Sequence, residues 1–214
     1  ITGDHIYIQV QTPEGASDST SFNVGAVLLF DGSSSGFCPT NAPCIEDGSC
    51  HTTAEWPTIE QARKAIAHFN FVEDGASYTC SGGLLADTDP NSVIPYFLTA
   101  DHCVSSPAAA ATMETWLNFT TPGCKAACPA IQPGTPSILG AALLDHSAVD
   151  DHSLLVLDQT PPADAWYLGW TDKPVAEADG TVLFRLSHPQ GSPQAFSAHS
   201  VDAALDPTEY CQTT

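Results

Sequence analysis

Basic residues are the scarcest feature of this 214-residue sequence: five lysines and arginines stand against 25 aspartates and glutamates, a formal net charge of −20. Such a surface repels phosphate backbones, which argues against nucleic-acid binding. Long apolar runs are also missing, and no stretch approaches the ~20 residues that a membrane-spanning helix needs. We therefore expect neither nucleic acid nor membrane among the partners of this chain, and we read its acidity as a source of solubility.

An initiator methionine and a secretory leader are both missing, because the sequence opens at Ile1. This start predicts a mature or processed chain. Apolar residues make up 43% of the composition, enough for a packed core in one large domain or two small barrels. No pattern indicates a cofactor.

The eight cysteines lack the spacing of a metal site. No C-x-x-C occurs, and the closest approach is Cys124-Lys-Ala-Ala-Cys128. A zinc site would normally present its thiolates as two short pairs. The count instead predicts disulfides in an oxidising compartment, so that the protein is secreted or, as an alternative, periplasmic. The cysteines are Cys38, Cys44, Cys50, Cys80, Cys103, Cys124, Cys128 and Cys211.

Short strand-like segments separated by proline- and glycine-rich turns dominate the second half of the chain. This rhythm predicts an antiparallel barrel or sandwich. Helical spacing of apolar residues occurs in Thr58–Ala67. The predicted strands are His5–Gln11, Phe22–Phe30, Thr79–Ala86, Ile94–Thr99, Met113–Thr120, Ser153–Leu157, Thr181–Leu186 and Ala195–Val201.

One segment places a histidine directly after an apolar strand. In Tyr96-Phe-Leu-Thr-Ala-Asp-His-Cys103, His102 is followed at once by a cysteine. About twenty residues earlier, Cys80 begins the run C-S-G-G-L-L. A disulfide between Cys80 and Cys103 would tie the turn that carries His102 to a neighbouring strand. A catalytic base needs such fixing, since an ångström of misplacement is costly.

A second segment places an acid directly before an alternating strand, in Asp151-His-Ser-Leu-Leu-Val-Leu157. From there the carboxylate can reach back to His102, accept the hydrogen bond of its Nδ1–H and stabilise the imidazolium. Asp150 is the nearest competitor for this role. Asp101, beside His102, is interpreted as a solvated turn acid.

Together these motifs resemble the chymotrypsin-like serine peptidases, and most closely their bacterial lysyl and glutamyl endopeptidase-like branch. The similarity rests on C-S-G-G-L-L, on T-A-x-H-C and on D-x-[ST]-L-L-x-L. The spacing Cys38-x5-Cys44, the segment Trp116–Phe119 with Cys124, and His188-Pro-Gln-Gly agree with it. The similar region covers residues 38–201.

The resemblance implies that His102 is the general base and acid and that Asp151 orients it. It implies the disulfides Cys80–Cys103 and Cys44–Cys124, with Cys38 bonded to Cys211 or to a cysteine beyond this chain. Cys50–Cys128 is then the pair left over.

The implied fold is all-β: a chymotrypsin-like double β-barrel whose first barrel is complete and whose second is only begun. The expected divisions are an N-terminal extension (1–37), the first barrel with the histidine and aspartate (38–172) and the start of the second barrel (173–214).

The nucleophile of the family, a serine in G-x-S-G-[GS]-P, has no match here. Serines after the aspartate are Ser153, Ser187, Ser192, Ser197 and Ser200, and none has that context. Residues Gly32–Gly36 match the pattern G-x-S-x-G, but we interpret this segment as a linker. We therefore expect the N-terminal portion of a secreted serine endopeptidase, inactive alone, which hydrolyses protein or peptide substrates after a C-terminal fragment supplies the serine and completes the second barrel.

Two alternatives remain at this point. A catalytically inactive homologue would keep the fold and act as a binding or structural module. An extracellular metal-binding protein would use the histidines and aspartates at 145–152.

Overall fold

The computed structural model describes residues 45–89, 91–131, 135–173, 179–202 and 204. Ten strands, two short α-helices and two single-turn 3₁₀ helices lie in these ranges. The strands are β1 (Glu46–Asp47), β2 (Ile66–Glu73), β3 (Ala76–Leu85), β4 (Tyr96–Thr99), β5 (Glu114–Leu117), β6 (Ile138–Leu139), β7 (Ala141–Ser147), β8 (His152–Leu157), β9 (Val182–Ser187) and β10 (Ala195–Ser200); the helices are α1 (Ile59–Ala65), α2 (Pro107–Ala111), and the 3₁₀ turns Gly48–Cys50 and Pro189–Gly191.

Seven antiparallel strands form the larger sheet, in the order β6-β5-β2-β3-β4-β8-β7. Its two outermost strands are consecutive in the chain and are separated only by Gly140. Strands at opposite ends of a sheet can be joined by one residue only if the sheet curls round on itself. The larger sheet is therefore a barrel, closed through residues 138–147.

Gly140 makes this closure possible. Its φ is +77°, and a Cβ placed there would lie 2.4 Å from the Asp158 Oδ2 atom. Its N–H donates to the Met113 carbonyl at 2.8 Å, and its own carbonyl accepts from the Asp158 N–H at 3.1 Å. Glycine alone combines this backbone conformation with so close an approach.

The interior of the barrel is filled from four neighbouring strands. Phe69 of β2, Leu84 of β3, Phe97 of β4 and Leu155 of β8 are all fully buried. Strand β8 shows the pattern most plainly, because its residues alternate between half-buried and buried along its whole length. A period of two is what a strand with one face on a core requires.

The smaller sheet has the order β1-β10-β9 within the described residues. Strand β1 belongs to it although it precedes the barrel in sequence, pairing Glu46 with Phe196. The two sheets are joined by hydrogen bonds from the His188 N–H to Ser81 Oγ at 2.7 Å and from the Gln194 N–H to the Phe119 carbonyl at 2.9 Å.

The all-β expectation is confirmed, and so is the helix near residues 58–67, observed as α1. Six predicted strands overlap β3, β4, β5, β8, β9 and β10. The strands predicted at 5–11 and 22–30 lie outside the described residues, and the division at 37/38 and 172/173 stays a prediction. Neither α-helix in the described ranges is long and apolar enough to cross a membrane.

Candidate active site

The turn that carries His102 is held to the neighbouring strand at two points. Before it, the Thr99 hydroxyl donates to the Ser81 carbonyl at 2.9 Å. After it, Cys103 is bonded to Cys80 of β3, as predicted, with the Cα atoms 6.3 Å apart. The turn therefore cannot shift along the barrel without moving β3.

The hairpin of β7 and β8 carries Asp151 in its connection, immediately before β8. Asp151 has a φ of +49°, a left-handed conformation that aspartate tolerates better than most residues. Two residues on, the fully buried Ser153 donates its hydroxyl to the Val104 carbonyl at 2.6 Å. This bond attaches the hairpin to the histidine turn.

These two segments bring His102 and Asp151 together. The ring Nδ1 of His102 lies 2.8 Å from Asp151 Oδ2 and 3.0 Å from Oδ1. The backbone N–H of His102 also donates to Asp151 Oδ1, at 3.0 Å. The backbone and then the ring hydrogen bond of His102 hold the pKa of the Asp151 carboxyl below its ordinary value, so the carboxylate stays ionised at neutral pH.

The chemical consequence concerns the tautomer of His102. A carboxylate at Nδ1 makes that nitrogen the donor, so the lone pair of the neutral ring is on Nε2. The histidine side chain is 71% exposed, which leaves its ring accessible to a second reactant. An oriented, accessible imidazole with a carboxylate behind it can take a proton and later return it.

Three of the serines that follow Asp151 have hydrogen-bond partners other than His102. Ser153 and Ser192 are both fully buried, and their hydroxyls donate to the carbonyls of Val104 and Pro193. Ser197 contacts His199 instead, at 3.0 Å. These contacts do not place any of the three beside the His102 ring.

The predicted Cys44–Cys124 disulfide is wrong, because Cys124 is bonded to Cys50, with the Cα atoms 4.3 Å apart. The leftover pair Cys50–Cys128 is wrong for the same reason. Cys128 is itself disulfide-bonded, and Cys38, Cys44 and Cys211 lie outside the described residues.

The carboxylate of Asp47 holds the segment that carries Cys50 close to the loop that carries Cys124. Its buried carboxylate accepts from the Ser49 N–H at 2.9 Å, from the Thr121 hydroxyl at 2.8 Å and from the Lys125 N–H at 2.9 Å. Burial alone would raise the pKa of Asp47, but these hydrogen bonds outweigh it and the pKa is lowered. The segment around residue 50 is thereby fixed against the loop at 121–125.

The residues considered for a metal site do not converge. His146 contacts Asp101 at 2.7 Å, whereas His152 lies 3.6 Å from Asp145. The only cluster of three possible ligands in the described part of the chain combines His102 with Cys80 and Cys103, whose sulfurs are already bonded to each other.

The prediction that Asp101 is a solvated turn acid is wrong. It is only 9% exposed, and its carboxylate accepts a hydrogen bond from His146. Sequence reasoning missed His146 as part of this neighbourhood, because the pair is separated by 45 residues and no local motif marks it.

A closed β-barrel that presents a carboxylate-oriented histidine between a T-A-x-H-C turn and a D-x-S-L-L-x-L strand defines the class of chymotrypsin-like serine peptidases. Within that class, the family model described as "Lysyl endopeptidase, C-terminal domain" matches residues 38–213, and the chain belongs to that family. The predicted fold class is thereby confirmed.

A lysyl endopeptidase of Pseudomonas aeruginosa is 32% identical over 164 residues, which is 75% of this chain and 35% of the relative. The chain thus spans about a third of the length of that protein.

Two solved structures are similar to about two thirds of this chain. Protease Anisep from Arthrobacter nicotinovorans shares 16% identity, covers 65% of each chain and gives a TM-score of 0.45. A structure titled GrC shares 18% identity, covers 64% of this chain and 60% of its own, and gives a TM-score of 0.40.

Proposed function

We propose that this chain supplies the general base and its orienting acid to a secreted serine endopeptidase. The observation that carries the proposal is the His102–Asp151 pair, in which the carboxylate contacts both Nδ1 and the backbone N–H of the histidine. Membership of the lysyl endopeptidase family supports the same reaction class.

In the proposed reaction, His102 Nε2 takes the proton of a serine hydroxyl as the serine oxygen attacks a peptide carbonyl carbon. Asp151 stabilises the imidazolium that forms. His102 then returns the proton to the departing amine, which leaves an acyl-enzyme. Water, deprotonated by the same nitrogen, releases the acid product and restores the serine.

The nucleophilic serine comes, in this proposal, from polypeptide outside these 214 residues. The sequence contains no G-x-S-G motif, and the buried hydroxyls of Ser153 and Ser192 are bonded to backbone carbonyls. The partner is a C-terminal portion of the same precursor.

The smaller sheet offers the surface for that portion. Strand β9 is outermost in it among the described strands, and Val182 and Leu183 on β9 are 59% and 42% exposed. An edge strand with exposed apolar side chains favours the addition of further strands. The added strands would complete a second barrel beside the first.

Secretion is part of the proposal. The disulfides Cys50–Cys124 and Cys80–Cys103 persist best in an oxidising compartment. Fractionation of the producing cells, followed by immunodetection of this chain, distinguishes culture medium from periplasm.

The test is labelling of the native, unreduced protein with a fluorophosphonate probe, followed by reduction, electrophoresis and mass spectrometry. We expect the label on a serine of a co-purifying portion, and loss of label in His102→Gln. His199→Gln, an exposed histidine on β10, serves as the matched control. Absence of label from the wild-type protein would instead support the catalytically inactive homologue.

A further inference from the structure

A second histidine–carboxylate pair lies next to the first and joins the same two segments. His146 Nδ1 lies 2.7 Å from Asp101 Oδ1. Asp101 directly precedes His102 in the turn, and His146 lies on β7 of the hairpin that carries Asp151. The two pairs are reciprocal: in one the turn provides the histidine, and in the other it provides the acid.

A β-bulge aims His146 at the turn. In the pairing of β7 with β8, Leu143 is opposite Leu155, but the next pair joins Asp145 to Leu154, so that Leu144 is an extra residue. His146 is consequently opposite Ser153, whose buried side chain faces Val104 of the turn. Paired residues on antiparallel strands share a face, and bulges re-aim side chains near active sites.

The effect of the pair reaches Asp151 through the backbone of the turn. The Asp151 carboxylate accepts the N–H of His102, and the N–H of Asp101 adds a smaller stabilisation of its ionised form. Holding the side chain of Asp101 therefore holds the amides that cradle Asp151. The same bond fixes Asp101, the residue directly before His102 in the turn.

The pair is not an ordinary surface ion pair. The Asp101 side chain is 12% exposed, against 47% for His146. Removal of the partner would leave a mostly buried carboxylate without its hydrogen bond, which costs more than losing an exposed pair. The turn would then relax to expose the acid.

We propose that His146 and Asp101 are positioning residues for the His102–Asp151 pair. The inference rests on the proposed peptidase function. The positioning acts through contacts that run from His146 to the Asp101 carboxylate, and from the turn amides to the Asp151 carboxylate.

The test compares His146→Asn with His146→Gln in the complete protease. The amide nitrogen of asparagine can occupy the place of Nδ1, whereas the longer glutamine moves the donor away from Asp101. We expect His146→Asn to keep kcat within about threefold of the wild type, and His146→Gln to lose about 10- to 100-fold in kcat at constant KM. Asp101→Ala should lose as much, and the double variant Asp101→Ala/His146→Gln no more.

His152→Gln is the matched control, because His152 lies on the same hairpin and contacts Asp145 rather than the turn. Its kcat should equal that of the wild type. Equal losses in His152→Gln and His146→Gln would overturn the proposal, since they would indicate a general loss of hairpin stability. Wild-type kcat in His146→Gln would overturn it as well.

An NMR measurement tests the positioning of the His102–Asp151 pair independently of peptidase activity. We expect the proton between His102 Nδ1 and Asp151 to give a strongly deshielded NMR signal, because the two atoms that share it are 2.8 Å apart. We expect that signal to broaden or shift in His146→Gln and to stay unchanged in His152→Gln and His146→Asn. The signal reports positioning even if the wild-type protein hydrolyses no peptide, and an unchanged signal in His146→Gln counts against the proposal.

Discussion

The imidazole rings of His68 and His188 meet edge to face at the junction of the two sheets, with their centroids 5.8 Å apart and their planes inclined by 60°. His68 lies on β2 of the barrel, and His188 follows β9. Both side chains are buried. Phe119 lies within 6.0 Å of both rings and Trp116 within 5.5 Å of His68, so the surroundings are aromatic.

Burial and the neighbouring His188 lower the pKa of His68 to about 3. Burial lowers the pKa of His188 to about 4, although its hydrogen bond to the Ser192 carbonyl opposes the shift. The Nε2 atom of His188 has no hydrogen-bond partner among the described residues. Both rings are therefore neutral in the folded protein at pH 7.

We predict that acid destabilises the protein through these two histidines. Their unfolded pKa is near 6.5, so the unfolded chain binds protons first as the pH falls. The contribution of these two neutral histidines to the free energy of unfolding is fully present above pH 6.5. As the pH falls toward the folded pKa values of about 4 and about 3, this contribution declines by at most about 1.4 kcal/mol per pH unit for each histidine. Urea unfolding at pH 7, 6 and 5 measures the decline.

His68→Gln tests the source of that decline. The variant should flatten the slope between pH 6 and 5, whereas His199→Gln, with its side chain exposed on β10, should leave it as in the wild type. An unchanged slope in His68→Gln would show that other groups govern the acid response.

Substitution of Asp151 should affect catalysis and not folding. Asp151→Asn removes the charge and replaces one carboxylate oxygen with an NH2 donor, which permits the other tautomer of His102. By analogy with triad enzymes we expect kcat to fall by about 10⁴-fold. Asp150→Asn is the adjacent control, because its carboxylate contacts Ser147 and not His102. Comparable losses in the two variants would contradict the assignment of Asp151.

Gly82 occupies a place that no side chain fits. A Cβ there would lie 2.3 Å from Phe97 Cε1 and 2.8 Å from the Leu98 carbonyl oxygen. Phe97 is fully buried, and the Leu98 oxygen belongs to the backbone, so neither contact is easily relieved. We predict that Gly82→Ala lowers the free energy of unfolding by about 2–3 kcal/mol.

Gly123→Ala is the control for that prediction, because nothing lies within 4 Å of a Cβ at this position. Thermal or urea unfolding of both variants provides the comparison. Equal stability of Gly82→Ala and the wild type would contradict the close contact of Gly82 with Phe97 and Leu98.

The disulfides Cys50–Cys124 and Cys80–Cys103 should differ in what they stabilise. Cys50–Cys124 closes 74 residues and Cys80–Cys103 closes 23. In the loop-entropy description, removing them costs about 4 and about 3 kcal/mol of stability. We expect the double Cys→Ala variant at 80 and 103 to lose more activity nonetheless, because that bond fixes the His102 turn.

Peptide mapping of the unreduced protein checks the connectivity directly. A pepsin digest should contain a fragment that joins Cys50 to Cys124. A fragment that joins Cys44 to Cys124 would restore the pairing expected from the family resemblance.

Local motifs were sufficient to predict that His102 and Asp151 are in contact, because the residue types and the flanking strand are contiguous in sequence. The six predicted strands have apolar runs that end in turn residues. Strand β7 was missed because its bulge interrupts the alternation and four of its seven residues are exposed.

Non-local relationships could not be predicted from the sequence. The pairing of Cys50 depends on the way Asp47 binds the loop at 121–125, which no spacing rule contains. The burial of Asp101 depends on His146, 45 residues away. The disulfide partner of Cys50 and the burial of Asp101 thus each depend on a polar contact with residues distant in sequence.

The closure of the barrel has a consequence for the order of biosynthesis. Its seven strands lie between Ile66 and Leu157, so both members of the His102–Asp151 pair are present once that span has been synthesised. Domains tend to fold as units, with the earlier part of the chain first. The contact between His102 and Asp151 can therefore be assembled before β9 and β10 have been synthesised.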